Sequence, residues 1–188
     1  MSVEINLDAS FEGLSDGLED IPIVMGIFDD YIPPHGYAGI VDWEVCGEIS
    51  RMIAGRKFSG NEGARLLLRL TSSCYPGRKV LVYGLGSRKG LTSGRLSSVM
   101  EGLFSTLSGL SISNFVYVLP PMYDAGSDIH EVLDGIALSV LKFTSRGKTE
   151  YRLWLMWDNV SRSDIVSSFK DAVNVFPEAS LSIIEKED

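Results

Sequence analysis

From residue 79 onward the chain alternates strand-length apolar runs with segments of helical periodicity. Runs at 79–85, 114–119 and 151–157 are each followed by a segment in which apolar residues recur every three or four positions. Such β–α–β units give parallel strands with right-handed crossovers, because the helix must return the chain to the same end of the sheet. The order predicts an α/β fold in three layers, with helices on both faces of a mixed, largely parallel central sheet.

Four further segments have the length and apolar content of strands, and we expect them to belong to the same sheet. They are 3–7, 21–28, 64–70 and 181–184. The strand at 64–70 is joined to the run at 79–85 by a turn that contains Pro76. The amino-terminal part of the chain therefore supplies strands to the same sheet as the later β–α–β units.

A long helix is predicted from Ala38 to Ala54, with Gly55 at its C′ position. Its inward stripe is predicted from residues at helical spacing, namely Ile40, Val41, Val45, Ile49, Met52 and Ile53. Cys46 lies beside Val45 and is predicted to be a small core residue. Three later helices are predicted to be capped by Thr92 or Ser93, by Ser127, and by Ser161 or Ser163.

Length and composition indicate one globular domain over 1–188. The chain has 188 residues, of which 45% are hydrophobic and 22% are charged, a profile that excludes disordered and low-complexity classes. No apolar run reaches 18 residues, and the first thirty residues hold no Lys or Arg, so neither a membrane-spanning helix nor a signal peptide is expected. We expect cytoplasmic residence. Cys46 and Cys74 are too few for a disulfide framework.

Charge is strongly segregated along the chain. The net charge is -8, yet residues 1–50 carry eleven acids and no Lys or Arg, whereas residues 51–100 carry ten basic residues and Glu62 alone as an acid. The simplest interpretation is that adjacent strands pair opposite charges. The alternatives are a basic face for an anionic ligand and an acidic face for a second subunit. A pI of about 4.8 disfavours duplex nucleic acid as a partner.

Residues for catalysis or metal binding are scarce. The two histidines, His35 and His130, have no partner at the spacing of a metal-binding helix, and no H-E-x-x-H occurs. His130 is predicted to face solvent in the first turn of a helix. No G-x-S-x-G nucleophile motif occurs, and neither Cys46 nor Cys74 is placed to pair with a histidine. The sequence predicts no catalytic residue, no metal site and no cofactor.

The strongest ligand-binding pattern is the glycine-rich exit of the strand at 79–85. Gly84, Gly86, Ser87 and Arg88 lead from that strand toward a helix whose N–H groups could hold an anion, with Arg88 as a counter-charge. The spacing is not that of a dinucleotide fingerprint. The alternative interpretation is that the two glycines only let the strand and the helix pack.

Two other loops precede helices at strand ends. One contains Gly36 and Gly39 and continues to Asp42, and the other is the segment 120–127. Ligands collect at the carboxyl ends of strands in open α/β sheets, so the three loops are predicted to converge there. The site predicted from the loops consists of Gly36, Gly39, Asp42, Gly84, Gly86, Ser87 and Arg88.

Three motifs give a family resemblance. They are G-Y-A-G-I-V-D-W-x-x-C-G-x-I-S-R at 36–51, F-S-G-N-E-G at 58–63 and K-V-L-V-Y-G-L-G at 79–86. Together they resemble the amino-terminal domain of the cytosolic leucyl aminopeptidase family, over roughly residues 20–140. That domain is similar in fold to macro domains, so the resemblance implies a macro-domain-like fold.

The resemblance implies a non-catalytic role. In that family the two metal ions and the catalytic lysine and arginine belong to a larger carboxy-terminal domain marked by N-T-D-A-E-G-R, a block that this sequence does not contain. We therefore expect a stand-alone domain that acts in protein association or regulation, as a homo-oligomer or with a protein partner. The alternative implied by the macro-domain likeness is a binder or hydrolase of ADP-ribose or another nucleotide.

Overall fold

The computed structural model describes residues 2–7, 18, 20–71, 77–89, 91–121, 129–146, 150–157, 160–177 and 180–185. Within these residues it contains seven strands and five helices. In chain order they are β1 (Ser2–Leu7), β2 (Ile23–Phe28), α1 (Gly36–Glu44), α2 (Glu48–Ala54), β3 (Arg65–Arg69), β4 (Lys79–Gly86), α3 (Ser93–Gly109), β5 (Asn114–Val118), α4 (Ile129–Arg146), β6 (Tyr151–Met156), α5 (Arg162–Val175) and β7 (Ser180–Glu185).

The strands form one mixed sheet in the order β3-β4-β2-β5-β6-β1-β7. The pairing of β3 with β4 is antiparallel, and the other neighbouring strands run parallel. The parallel strands β2, β4 and β5 therefore end at the same edge, where loops to α1, α3 and α4 begin. This arrangement confirms the predicted α/β fold with a largely parallel central sheet.

Helices cover both faces of the sheet over separate hydrophobic cores. The larger core joins α3, α4 and α5 to one face, and its largest fully buried side chains include Phe104, Phe115 and Tyr117. The smaller core joins α1 and α2 to the other face through residues such as Val41 and Ile49. In β2, β4, β5 and β6, alternate residues contribute to the two cores, because successive side chains of a strand point to opposite faces.

Where the structure describes the capping residues, they are those predicted from the sequence. The Thr92 hydroxyl accepts a hydrogen bond from the Arg95 N–H at the start of α3, and the Ser161 hydroxyl accepts one from the Asp164 N–H at the start of α5. His130 is exposed in the first turn of α4, as predicted. The predicted cap Ser127 lies outside the described residues.

The prediction of one continuous helix from Ala38 to Ala54 is wrong. The segment forms two helices, α1 and α2, because Cys46 and Gly47 both adopt left-handed backbone conformations, with φ of 58° and 73°. Cys46 is consequently exposed in the turn, and the prediction that it is a core residue is also wrong. At the end of α2, Gly55 has a φ of -77°, and the following residue, Arg56, takes the left-handed conformation at 55°.

No helix in the described part of the chain has both the length and the apolar character needed to cross a membrane.

Candidate functional site

The loops after β2 and β4 meet at the carboxyl edge of the sheet. The two strands are parallel neighbours, and a register shift between Ile27 and Phe28 pairs Phe28 with Gly86. Directly beyond this point the Asp29 N–H donates to the Gly86 carbonyl at 3.0 Å. Residues that follow β2 are thereby held against the glycine-rich exit of β4.

The Asp30 carboxylate is hydrogen-bonded to the backbone amides that follow β4. It accepts hydrogen bonds from the Ser87 hydroxyl at 2.6 Å, the Arg88 N–H at 2.7 Å and the Lys89 N–H at 3.2 Å. Successive N–H groups that converge in this way form an anion-binding concavity. The anion they hold is an internal carboxylate, and no motif in the sequence places Asp30 beside the loop after β4.

The hydrogen bonds also change the acidity of Asp30. Partial desolvation raises the pKa of this carboxyl, but the hydrogen bonds from the Ser87 hydroxyl and from the N–H groups of Arg88 and Lys89 together outweigh that effect and lower the pKa from 3.8 to about 2. The carboxylate therefore remains ionised at any neutral or mildly acidic pH, and it competes with an external anion for these amides.

The lowered pKa predicts an acid-dependent loss of stability. A carboxyl whose pKa is lower in the folded state stabilises the fold above its unfolded pKa, and this contribution is lost as the pH falls from 3.8 toward about 2. We expect wild type to be slightly more stable than Asp30→Asn at pH 7, with the difference disappearing over that window. The difference is small because Asp30 is exposed to solvent.

Thermal melts of both proteins from neutral pH down to the acid limit measure this difference. A gap in Tm that stays constant across the acid window would contradict the role given to the carboxylate.

A short stack of side chains lies beside the Asp30 contact. The Arg88 guanidinium carbon is 4.1 Å from the centre of the Tyr31 ring, within the range of a cation–π contact. Tyr31 in turn packs against His35, with 4.5 Å between ring centres. Tyr31 was not among the residues predicted from the sequence, and its contact fixes where the Arg88 side chain lies.

Gly84 and Gly86 are required by packing against the turn between α2 and β3. A Cβ at Gly84 would lie 1.9 Å from the Asn61 carbonyl oxygen, and Gly86 has a φ of 72° and donates its N–H to the Gly60 carbonyl at 2.9 Å. The Gly84 N–H donates to the Ala64 carbonyl at 2.8 Å. Both glycines use their amides within the fold, in agreement with the packing alternative. Gly90, farther along this loop, lies outside the described residues.

The second predicted loop also uses its residues locally. Gly36 starts α1 with a φ of 59°, and Gly39 allows α1 to approach Pro34, since a Cβ there would lie 2.8 Å from the Pro34 carbonyl oxygen. Asp42 is only 8% exposed, and its carboxylate accepts hydrogen bonds from the Ile49 and Ser50 N–H groups at 2.9 and 3.1 Å. It also accepts a hydrogen bond from the Ser50 hydroxyl. Asp42 therefore joins α1 to the amino-terminal end of α2.

A small cavity lies at the carboxyl end of β2. It is lined by Gly26, Ile27, Phe28, Tyr31, Pro34, His35, Ala38 and Pro121. The second and third predicted loops come together here through His35 and Pro121, but residues 122–127 of the third loop lie outside the described residues. The cavity measures about 10 Å³. That volume admits about one water molecule, whereas pockets for drug-sized ligands span about 300–1,000 Å³.

The described residues offer no assembled metal site. Among them, no three His, Cys, Asp or Glu side chains come close enough together to hold an ion.

The outer face of α1 is unusually apolar. Trp43 is 76% exposed, and Ile40, one helical turn before it, is 42% exposed. The prediction that Ile40 points inward is wrong, because α1 turns Ala38 and Val41 toward the core and leaves Ile40 on its outer face. Residues three apart on a helix lie next to each other, so Ile40 and Trp43 form one apolar patch, which we call the α1 patch.

Sequence comparison identifies the family. The model of the cytosol aminopeptidase family, N-terminal domain, matches residues 26–146, which is more than half of the chain. The chain belongs to this family. The match confirms the resemblance inferred from the three sequence motifs, and it covers the N-terminal domain of the family alone. No curated protein matches the chain by sequence.

Solved structures with the same fold include a leucine aminopeptidase and macrodomains. A tomato leucine aminopeptidase mutant superposes with a TM-score of 0.64 at 15% identity, over 92% of this chain and 36% of that chain. The chain thus spans about a third of that enzyme's length. A Trypanosoma brucei macrodomain in complex with ADP gives a TM-score of 0.66 at 13% identity, over 92% of this chain and 69% of the macrodomain chain.

An Oceanobacillus iheyensis macrodomain mutant with ADPR gives a TM-score of 0.61 at 11% identity, over 93% of this chain and 92% of that one. Identities this low establish a shared fold. The N-terminal domain described here is therefore macrodomain-like in architecture.

Proposed function

We propose that this aminopeptidase-family N-terminal domain acts in protein association, and that the α1 patch contacts a second copy of the chain. The observation that carries the proposal is the exposure of Trp43, at 76% of its surface. Tryptophan is enriched among the residues that dominate binding energy at protein interfaces, since it buries a large apolar area with few rotatable bonds. Ile40 extends the same surface by one helical turn.

The distribution of charge supports a second copy as the partner. Four ion pairs join side chains within the described residues: Glu48–Arg51, Glu62–Arg95, Glu101–Lys142 and Glu4–Arg152. Of these, only Glu48–Arg51 joins the acidic segment 1–50 to the basic segment 51–100, and it does so within one helix. None of these four pairs joins neighbouring strands across the two segments. Acidic and basic surfaces on one chain can be matched by those of a second copy.

Substitution of Trp43 tests the proposal. We expect wild type to form dimers or larger species as its concentration rises, and Trp43→Ser to remain monomeric, because the loss of an interface tryptophan costs about 2 kcal/mol or more of binding free energy. Sedimentation velocity over a concentration series measures this. The matched control is Val175→Ser, which alters another exposed apolar residue, at 61%, near the end of α5.

Val175→Ser should associate as wild type does. A wild type that stays monomeric at high concentration and low salt, or a Trp43→Ser variant that associates normally, would contradict the proposal.

Nucleotide binding is the second candidate function. The observation that favours it is the position of the small cavity at the carboxyl end of β2, beside the Tyr31–Arg88 contact. This is the edge at which α/β sheets bind ligands, and macrodomains of the same fold have been solved with ADP and ADPR. Against it, the cavity has room for about one water, and Asp30 already holds the amides after β4.

Calorimetric titration separates the two functions. We expect no saturable heat when millimolar ADP-ribose is added to wild type. Saturable binding that Arg88→Ala weakens would instead support the nucleotide-binding function.

A further inference from the structure

Among the described residues β3 is an edge strand of the sheet, and it carries a basic and apolar stripe. Arg65, Leu67 and Arg69 are exposed, and they lie on one face of β3 because side chains of a strand alternate. Leu67 is 48% exposed. The intervening residues Leu66 and Leu68 pack into the core under α1 and α2. We call the three exposed residues the β3 stripe.

The charges of the β3 stripe lack partners within the described part of the chain. Neither arginine is part of an ion pair there, and Arg69 lies directly opposite Lys79 on β4. Like charges in directly opposed positions of a sheet destabilise it. Three cations are therefore grouped at one edge with no anion among the described residues to balance them.

The backbone of the same residues points away from the sheet. The Leu70 N–H donates to the Arg78 carbonyl at 2.9 Å, and the Gly84 N–H donates to the Ala64 carbonyl at 2.8 Å. Hydrogen-bonded residues alternate in an antiparallel pair, so the even-numbered residues from 64 to 70 face β4. The N–H and C=O groups of Arg65, Leu67 and Arg69 consequently point away from β4, and β3 ends the strand order of the described residues.

We infer that β3 is the docking site for an extended acidic segment of a partner protein, which adds to the sheet as an eighth strand. Acidic side chains at alternate positions pair with Arg65 and Arg69, and an apolar side chain between them covers Leu67. Backbone hydrogen bonds to the outward groups of β3 provide affinity, and the alternating charges select the partner. This surface lies on the sheet face opposite to α1, so the inference does not depend on the α1 patch.

Two synthetic peptides test the charge selection. The probe contains Glu-Thr-Val-Thr-Glu, and the control contains Lys-Thr-Val-Thr-Lys in the same flanking residues. We expect the acidic peptide to bind with a dissociation constant in the micromolar to millimolar range, more weakly in high salt, and the basic peptide not to bind. Fluorescence anisotropy measures both. Equal binding of the two peptides, or none of the acidic one, overturns the inference.

Protein variants locate the site. Arg69→Glu should weaken binding of the acidic peptide at least about tenfold, because it places like charges against each other. Lys170→Glu makes the same charge change at an exposed position on α5 and should bind as wild type does. Peptide binding by Trp43→Ser should also be unchanged, which separates this site from the α1 patch. Full affinity in Arg69→Glu overturns the inference.

A proline substitution tests the backbone pairing. Proline is tolerated on an edge strand where its missing N–H would face solvent, so Leu67→Pro should fold while losing the outward donor. We expect it to bind the peptide at least about tenfold more weakly than Leu67→Ala, which lacks only the side chain. Thermal melts of both variants check folding. If the two bind equally, or if Arg69→Glu instead abolishes self-association of the protein alone, β3 does not receive a peptide strand.

Discussion

Gly84→Ala should destabilise the fold by more than about 4 kcal/mol, the largest effect that we expect from a single methyl group in this protein. The added Cβ would lie 1.9 Å from the Asn61 carbonyl oxygen and 2.8 Å from the Gly60 carbonyl carbon and oxygen. These atoms are backbone, so no side-chain rotation relieves the contact. Gly84 is not in the left-handed conformation, and the constraint is therefore space alone.

A thermal melt of Gly84→Ala should show a Tm lower by roughly 10 °C or more, or a loss of soluble folded protein. The control is Gly94→Ala in the first turn of α3, where a Cβ would meet nothing within 4 Å. That variant should be stabilised by about 0.4–1 kcal/mol, because alanine loses less backbone entropy on folding than glycine does. Equal stability of the two variants would contradict the close packing of β4 against the turn after α2.

Asp42→Ala should cost about 3 kcal/mol of unfolding free energy. The buried carboxylate accepts hydrogen bonds from the Ile49 and Ser50 N–H groups and from the Ser50 hydroxyl. Its removal takes away the cap of α2, worth about 0.5–2 kcal/mol, and leaves donors without acceptors in a part-buried site. Chemical denaturation measures the loss through a lower midpoint with an unchanged slope.

Asp42→Asn is the matched control for this prediction. Its amide oxygen can still accept from the Ile49 and Ser50 N–H groups, so we expect it to lose less than half of what Asp42→Ala loses. If both variants are as stable as wild type, Asp42 does not hold α1 and α2 together. Its carboxylate would then be free for the ligand role predicted from the sequence.

The fold could be predicted because its determinants are local and periodic. The spacing of apolar residues predicts the alternation of β4, α3, β5, α4, β6 and α5. Right-handed crossovers then make the neighbouring strands parallel. The break between α1 and α2 could not be predicted in this way, because the apolar stripe continues across it. Cys46 takes a left-handed conformation that its residue type rarely adopts, and the buried Asp42 carboxylate holds the second helix start.

The site is harder to predict, because a glycine pattern indicates that space is needed beside the backbone but not which group fills that space. Gly84 and Gly86 fit either a ligand site or close packing, and in the structure the turn at 60–64 packs against both glycines. The amides after β4 do bind an anion, but Asp30 supplies it from a distant part of the sequence. Contacts between residues nearly sixty positions apart leave no local signal in a single sequence.

The proposed contact between copies of this domain lies at the α1 patch. Amide correlation spectra of the labelled protein over a concentration series test it most directly, because they report on each residue separately. We expect concentration-dependent shifts at Ile40, Trp43 and their neighbours on α1, with Ser87 unchanged. Spectra that do not depend on concentration, or shifts confined to residues outside α1, would contradict it.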